Sequence, residues 1–177
     1  MAAHFTTVGH SNRGLDDFLS ILRKGRVKFV VDVRTFPRSR TNPTFNIDTL
    51  PAELARVQIG YQHLGGLGGR RPKQPQVDEN LNAMWRNRSF HNYADYALSE
   101  EFDVALCKLF GLGQECRVAL MCSEAVWWRC HRRIITDYLI INGHDVEHLM
   151  AVGKIEPARL TSGACTTADG KVIYPAA

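Results

Sequence analysis

Residues 117–133 read RVALMCSEAVWWRCHRR and join an apolar segment to a helical one. The uniformly apolar run from Val118 to Met121 predicts a short buried strand. From about Arg129 to Asn142 the apolar residues recur with a helical period, and Gly143 is typical of the residue that follows a helix C-terminus. We therefore expect a strand that passes into a helix through a corner that holds the active site.

Reactive side chains concentrate at this corner. Cys122 and Glu124 follow the strand. Cys130, His131 and Arg132 open the predicted helix, whose N-terminus would stabilise a thiolate or a bound anion. Cys122 is therefore a candidate nucleophile or metal ligand, His131 a candidate base or second ligand, and Glu124 a candidate acid or orienting carboxylate. The alternative is that these are ordinary packing residues of a core.

Composition predicts one globular α/β domain over residues 1–177, with a core at about 1–150 and a C-terminal extension at 151–177. The chain has 177 residues, of which 45% are hydrophobic and 23% charged. The first residues lack the pattern of a signal peptide, and no apolar run reaches membrane-spanning length. We therefore expect a cytoplasmic protein without a membrane partner.

The five cysteines include no CxxC pair, which argues against a disulfide framework and a zinc ribbon. The formal net charge of +4 is modest; it permits an anionic ligand but does not by itself imply nucleic acid. The sequence requires no cofactor, although a divalent metal would be chemically reasonable. It does not indicate an oligomeric state.

Along the chain, apolar runs typical of strands alternate with helical patterns. The predicted strands are 5–8, 28–33, 58–64, 118–121 and 145–150, and the predicted helical regions are 15–22, 48–57, 79–110 with a break near 87–91, and 129–142. This alternation predicts a single three-layer α/β domain with a mainly parallel sheet of about five strands flanked by helices. The Asp-Gly turn within residues 166–174 predicts a small C-terminal hairpin.

Each of the first four strands is followed by groups that could bind a ligand. Those after the first three strands are His10 and Ser11, then Arg34, Arg38 and Arg40, then Gly65, Gly66 and Arg70. Because the carboxyl ends of parallel strands share one edge of a sheet, we expect these loops to meet there. Arginines bind planar anions bidentately and glycines allow close backbone approach, so the predicted ligand is a phosphate or carboxylate.

Asp32 has two interpretations. With Glu124 it would form an acid–base pair, or it would only orient Arg34. The segment from Cys122 to Arg129 is similar to the cysteine-loop-arginine cradle of tyrosine-type phosphatases, but six residues intervene here where that cradle has five.

A metal site is a further alternative at this corner. Cys122, Cys130 and His131 have the donor types that zinc prefers, and His10 would be a fourth donor. Their spacing in the sequence is not diagnostic of such a site.

Several motifs together resemble the domain of unknown function 488 (DUF488) family of bacterial and archaeal proteins. They are GHSN at 9–12, DVR at 32–34, PRSR at 37–40, LGG at 64–66 with GGRR at 68–71, MCSEAVWWRCHR at 121–132 and the ending ADGKVIYP. The resemblance implies a compact α/β domain but no settled activity. It points to these characteristic positions: Gly9, Ser11, Asp32, Arg34, Cys122, Glu124, Cys130, His131 and Arg132.

The favoured hypothesis is a cysteine-dependent or metal-assisted hydrolase or transferase that acts on a small anionic, phosphorylated or nucleotide-like substrate. Arg34, Arg38, Arg70 and Arg132 would contact the anion. The rival hypothesis is a non-catalytic nucleic-acid-binding module, in which the same arginines contact phosphates and Trp127 and Trp128 stack on bases.

Overall fold

The chain forms eight strands and five α-helices in a computed structural model that describes residues 1–177. The strands are β1 (His4–Gly9), β2 (Phe29–Asp32), β3 (Gly60–His63), β4 (Val118–Cys122), β5 (Asp145–Ala151), β6 (Lys154–Pro157), β7 (Cys165–Thr166) and β8 (Val172–Ile173). The helices are α1 (Leu15–Lys24), α2 (Leu50–Arg56), α3 (Arg88–Tyr96), α4 (Glu100–Glu115) and α5 (Arg132–Ile141).

Six of the strands form one sheet in the order β3-β2-β4-β1-β5-β6. The first five run parallel, and β6 pairs antiparallel with β5. The predicted mainly parallel α/β sheet is therefore confirmed. The sequence analysis did not predict β6, because this short edge strand is largely exposed and has no alternating apolar pattern.

The β4 strand is central, which explains its apolar sequence. Every residue of β4 is buried, and the strand pairs with β1 on one side and β2 on the other. The register sets Gly9 opposite Cys122 and Asp32 opposite Met121. The loops that follow these three strands therefore leave the sheet side by side.

Helices cover both faces of the sheet, as expected for a three-layer α/β fold. One core contains buried residues of α1 and α2 against one face, and the larger core contains those of α3, α4 and α5 against the other. No helix is long and apolar enough to cross a bilayer.

Several element boundaries differ from the sequence predictions. Helix α2 begins at Leu50 rather than at the predicted 48: Asp48 pairs with Arg38, and Thr49, the residue before the helix, makes no side-chain cap bond. The helical region predicted from 79 to 110, with a break near 87–91, contains a 3₁₀ turn followed by two α-helices, α3 and α4. The second of these begins at a Ser99 cap, whose hydroxyl accepts from the Phe102 amide. Helix α5 begins at Arg132, because Trp127–Arg129 form a separate 3₁₀ turn.

The C-terminal hairpin is confirmed and lies against α5. Strands β7 and β8 pair antiparallel around a turn in which Gly170 has a φ of +81°. Tyr174 is fully buried, and its hydroxyl donates to Asp137 at 2.7 Å. This cover helps to explain why the polar residue Asp137 of α5 is buried.

Candidate active site

A cavity of about 410 Å³ opens at the carboxyl edge of the sheet. Loops after β2, β3 and β4 meet there with the start of α3. The lining residues are Arg34, Thr35, Phe36, Arg38, Gly69, Arg70, Asn87, Ser89, Phe90, Cys122, Ser123, Glu124, Arg129, Cys130 and His131. The structure thus brings Cys122, His131, Glu124, Arg34, Arg38 and Arg70 together.

Two free thiols form the inner wall of this cavity. Cys122 ends β4, and Cys130 lies two residues before α5. Their sulfur atoms are 2.8 Å apart, and the residues are only 3% and 6% exposed. The sequence analysis named both residues but did not predict that the β4–α5 loop folds back to place them in contact.

The surroundings of Cys130 favour a thiolate. Its sulfur accepts from the Arg132 backbone N–H at 3.4 Å, which is the first amide of α5, and lies 3.4 Å from Nδ1 of His131. Burial alone would raise the pKa of the Cys130 thiol. The hydrogen bond from Cys122 and the electrostatic effects of His131 and Arg132 outweigh burial and hold this pKa well below its ordinary value.

Cys122 is the protonated member of the pair. Burial raises the pKa of its thiol well above the ordinary value, and the hydrogen bond to Cys130 raises it further. The Cys122 thiol has acceptors for its proton in the Cys130 sulfur and the Glu124 carbonyl. The structure therefore favours Cys130 as the nucleophilic sulfur, whereas the sequence had suggested Cys122.

Arg132 lies behind the thiol pair rather than in the cavity. The side chain is 1% exposed and forms no ion pair with any carboxylate, and its guanidinium donates to Thr7 Oγ1 and the Glu124 carbonyl. Burial lowers the pKa of this guanidinium, but the two cysteines raise it by more. A buried charge requires a nearby opposite charge, so the Cys130 thiolate is the partner that this arginine needs.

His131 is held by a backbone contact. Its Nε2 lies 2.7 Å from the Val33 carbonyl, so Nε2 carries a proton and Nδ1 faces Cys130. The loop after β3 passes so close to the ring that a Cβ added at Gly69 would lie 2.4 Å from Nδ1. Glycine at position 69 is therefore required for the loop to pack against this histidine.

Asp32 orients Arg34, which was one of its two predicted roles. Its carboxylate accepts from Arg34 Nε at 2.8 Å and from Arg34 Nη2 at 2.6 Å, and also from the Tyr61 hydroxyl. Asp32 is fully buried and does not line the cavity. Because both oxygens of Asp32 already accept these hydrogen bonds, the carboxylate is poorly placed for the predicted acid–base pair with Glu124.

The residues after β1 support this arrangement from outside the cavity. Burial and the nearby charge of Arg34 together lower the pKa of His10 to about 4, although the bond to the Ser11 carbonyl opposes them. Neutral His10 accepts from Arg34 Nη1 through Nε2 and donates to that carbonyl through Nδ1. A Cβ at Gly9 would lie 1.9 Å from the Glu124 carbonyl oxygen, so glycine at position 9 lets the end of β1 pass close to the loop after β4.

Gly65 and Gly66 lie outside the cavity, contrary to the sequence prediction. A Cβ at Gly66 would lie 2.7 Å from that of Ala105 in α4. The carbonyl of Gly66 accepts from the Tyr96 hydroxyl, and that of Gly65 accepts from Arg71. Gly66 allows close packing against α4, whereas a Cβ at Gly65 would make only an ordinary contact with His63.

The arginines differ in how much of their charge is free. Arg34 is paired with Asp32, and Arg38 is paired with Asp48 at the surface. Arg40 is exposed and does not line the cavity. Arg70 and Arg129 line the cavity and form no ion pair, so they are the cations available to an anion.

Sequence reasoning singled out Arg129 only through the likeness to the phosphatase cradle, and it did not predict the contribution of α3. The signal for α3 was the Asn87-Arg-Ser sequence, which is typical of a helix start. The Asn87 side chain accepts from the amides of Ser89 and Phe90, and all three residues line the cavity. Glu124 supplies the only carboxyl group of the lining.

No group of three or more histidine, cysteine, aspartate or glutamate side chains is arranged to hold a metal ion. Cys122 and Cys130 contact each other, and Nε2 of His131 is bonded to a backbone carbonyl. Trp127 stacks on His148 at 4.5 Å between ring centroids, and Trp128 is 44% exposed. Neither tryptophan lines the cavity.

The fold and cavity define an α/β protein with a cysteine- and arginine-lined site at the carboxyl edge of its sheet. The family model described as "Domain of unknown function DUF488" matches residues 14–139, which is more than half of the chain. The protein therefore belongs to the DUF488 family. The motif at 9–12 and the C-terminal hairpin lie outside the match. Neither the curated proteins nor the solved structures contain a match to the chain.

Proposed function

We propose that this protein is a cysteine-dependent hydrolase or transferase that acts on a small phosphorylated or nucleotide-like anion. The observation that carries the proposal is the pairing of a thiolate with free cations in one cavity. Cys130 is stabilised by the start of α5 and by Arg132, and Arg70 and Arg129 stand in the same cavity without carboxylate partners.

Each side chain has a role that its surroundings support. The Cys130 sulfur attacks the electrophilic atom of the substrate, and the bond to the leaving group breaks as the bond to sulfur forms. Arg70 and Arg129 bind the anionic group. Glu124, as the only carboxyl group in the lining, protonates the leaving group. His131 positions the thiolate and accepts its proton through Nδ1.

The charge of an alkylating reagent tests this proposal. Iodoacetate and iodoacetamide attack the same sulfur but differ in charge, so their relative rates at Cys130 report the electrostatic potential of the cavity. We expect Cys130 to be alkylated before the exposed Cys107 and Cys165, and iodoacetate to be favoured more strongly there than at those two thiols. Peptide mapping by mass spectrometry gives each rate.

Substitutions identify the cations responsible. Arg70→Ala and Arg129→Ala should each reduce the preference for iodoacetate at Cys130, whereas Arg159→Ala, at an exposed arginine outside the cavity, should leave it unchanged. Pyrophosphate or a nucleoside monophosphate should slow alkylation at Cys130 only. Equal slow labelling of all cysteines, or no protection by any phosphate compound, would overturn the proposal.

Nucleic-acid binding is the second candidate, favoured by a neighbouring groove. This groove has no hydrophobic lining residue; it is formed by Gly69, Arg70, Arg71, Pro72 and Ser89, three of which also line the cavity. An oligonucleotide bound through several phosphates would lose affinity steeply as salt rises, whereas one small ligand would respond weakly. Titration with a short oligonucleotide at two salt concentrations separates the candidates.

A further inference from the structure

The two thiols of the cavity form an asymmetric pair. Cys130 and Cys122 have sulfur atoms 2.8 Å apart, and no other cysteine sulfur lies in contact with either. The Cys130 sulfur receives the Arg132 amide and lies beside His131, whereas the Cys122 sulfur has a carbonyl oxygen as its other neighbour. The Cys130 sulfur is therefore placed to attack, and the Cys122 thiol beside it is protonated.

Both sulfurs are reachable by a small molecule despite their burial. The two residues line the 410 Å³ cavity, which is open to solvent at the carboxyl edge of the sheet. A peroxide is small enough to enter a space of that size.

We propose that Cys130 is a site of oxidation by peroxides and that Cys122 resolves the oxidised sulfur to an intramolecular disulfide. This inference adds a reversible modification to the site. Its regulatory consequence, loss of the nucleophile, rests on the proposed function, whereas the oxidation itself does not.

The chemistry balances with a peroxide as the oxidant. The Cys130 thiolate attacks the O–O bond, so that an S–O bond forms, the O–O bond breaks, and Cys130 becomes a sulfenic acid. The departing alkoxide or hydroxide takes the Cys122 proton. The Cys122 thiolate then attacks the Cys130 sulfur, the S–S bond forms, and hydroxide leaves and takes a proton from solvent. Two sulfurs supply the two electrons, and an external thiol restores the pair.

The local geometry favours the second step over further oxidation. A disulfide has its sulfurs about 2.05 Å apart, so the pair must approach by less than 1 Å from its present distance. The disulfide also removes the thiolate beside Arg132, which leaves that buried cation without its anionic partner. Oxidation should therefore loosen the β4–α5 loop.

The test uses the full chain with Cys107, Cys116 and Cys165 replaced by serine, which leaves only the pair. One equivalent of hydrogen peroxide should remove both free thiols, with loss of two hydrogens from the protein mass, and dithiothreitol should restore them. Peptide mapping should find the Cys122–Cys130 cross-link. In the native chain, Cys130 should react about tenfold faster than the exposed Cys165, because it is largely thiolate.

Single substitutions separate the two roles. With Cys122→Ser, Cys130 should gain one oxygen and be trapped by dimedone as a sulfenic acid. With Cys130→Ser, Cys122 should remain reduced. Far-UV circular dichroism and the urea midpoint of each variant show that the fold is retained, and Cys122→Ala and Cys130→Ala provide replacements if a serine variant does not fold.

Two results would overturn the inference: no cross-link after peroxide treatment, or a sulfenic acid that forms at Cys122 rather than Cys130. These outcomes differ from failure of the proposed function. Cross-linking without any phosphate protection of Cys130 would reject the function and keep the oxidation, and protection without cross-linking would do the reverse.

Discussion

Two buried arginines in this protein are neutralised by different chemistry. Arg34 is 6% exposed and forms an ion pair with Asp32 through two nitrogens. Arg132 is 1% exposed and has only thiols as potential anions. A buried charge without a partner is strongly destabilising, so each arginine depends on its own neighbour. This dependence allows the pairs to be tested one at a time.

The Asp32–Arg34 pair should be important for stability. We expect Asp32→Asn to lower the free energy of unfolding by about 3–5 kcal/mol, because the substitution leaves a buried guanidinium without its counter-charge. Urea denaturation measures this loss. Asp48→Asn is the matched control, because Asp48 pairs with Arg38 at the exposed surface, where the loss should stay below about 1 kcal/mol. Similar losses in both variants would contradict the burial argument.

Among single residues, the sequence indicated cysteine chemistry at this corner but not which of the two sulfurs is the thiolate. Cys122 and Cys130 are the same residue type, so type alone does not distinguish them. Cys130 is the sulfur that lies beside His131 and receives the first amide of α5. That depends on where the helix begins, which is Arg132 rather than the predicted 129.

At the scale of whole elements, the turns that end α2 and α5 have the same hydrogen bonds but different residues. Both α2 and α5 end in a Schellman-type turn, in which the amide after the left-handed residue bonds back to the helix: Ile59 to Leu54, and His144 to Leu139. The left-handed residue is Gly143 after α5, with a φ of +85°, as predicted from the sequence. It is Gln58 after α2, with a φ of +62°. The same turn is thus built with the favourable residue after α5 and without it after α2.

Exchanging these residues should change stability with opposite signs. We expect Gln58→Gly to raise the free energy of unfolding by about 0.5–1 kcal/mol, because it relieves left-handed backbone strain at an exposed position, and Gly143→Ala to lower it by about 1–2 kcal/mol. Thermal or urea unfolding measures both. Gly111→Ala, inside α4 with nothing within 4 Å of the added Cβ, should stabilise the protein instead. A loss in Gln58→Gly would show that its side chain has another role.

Across the whole molecule, buried histidines couple stability to pH. Burial, together with the charge of Arg132, lowers the pKa of His148 to about 3. His10 is lowered to about 4. Because the unfolded chain binds these protons below its pKa of about 6.5 and the folded protein does not, stability should fall as the pH falls from there towards 4.

His148→Asn tests this coupling. An Asn side chain keeps an acceptor for the Thr7 hydroxyl, which lies 2.7 Å from Nδ1 of His148, but cannot bind the proton. We expect the dependence of unfolding free energy on pH to become shallower by about 1.4 kcal/mol per pH unit below the unfolded pKa. Urea unfolding across this range measures the slope. His4→Asn, at an exposed position, should change it less, and an unchanged slope in His148→Asn would contradict the assignment.

The sequence by itself determined the α/β class, the order of most strands and helices, the C-terminal hairpin and the edge at which the reactive loops meet. These follow from local periodicity and from the geometry of parallel strands, both of which are short-range properties. It also indicated the cysteine-histidine-arginine chemistry, because residue types are visible without folding.

Only the tertiary structure decided which of these residues share the cavity. It placed Asp32, His10, Gly65 and Gly66 in supporting positions, and it brought Arg129 and the start of α3 into the lining. These positions depend on the path of loops between elements and on helix ends that shift by a few residues. Such contacts join residues distant in the chain, so no local pattern in the sequence specifies them.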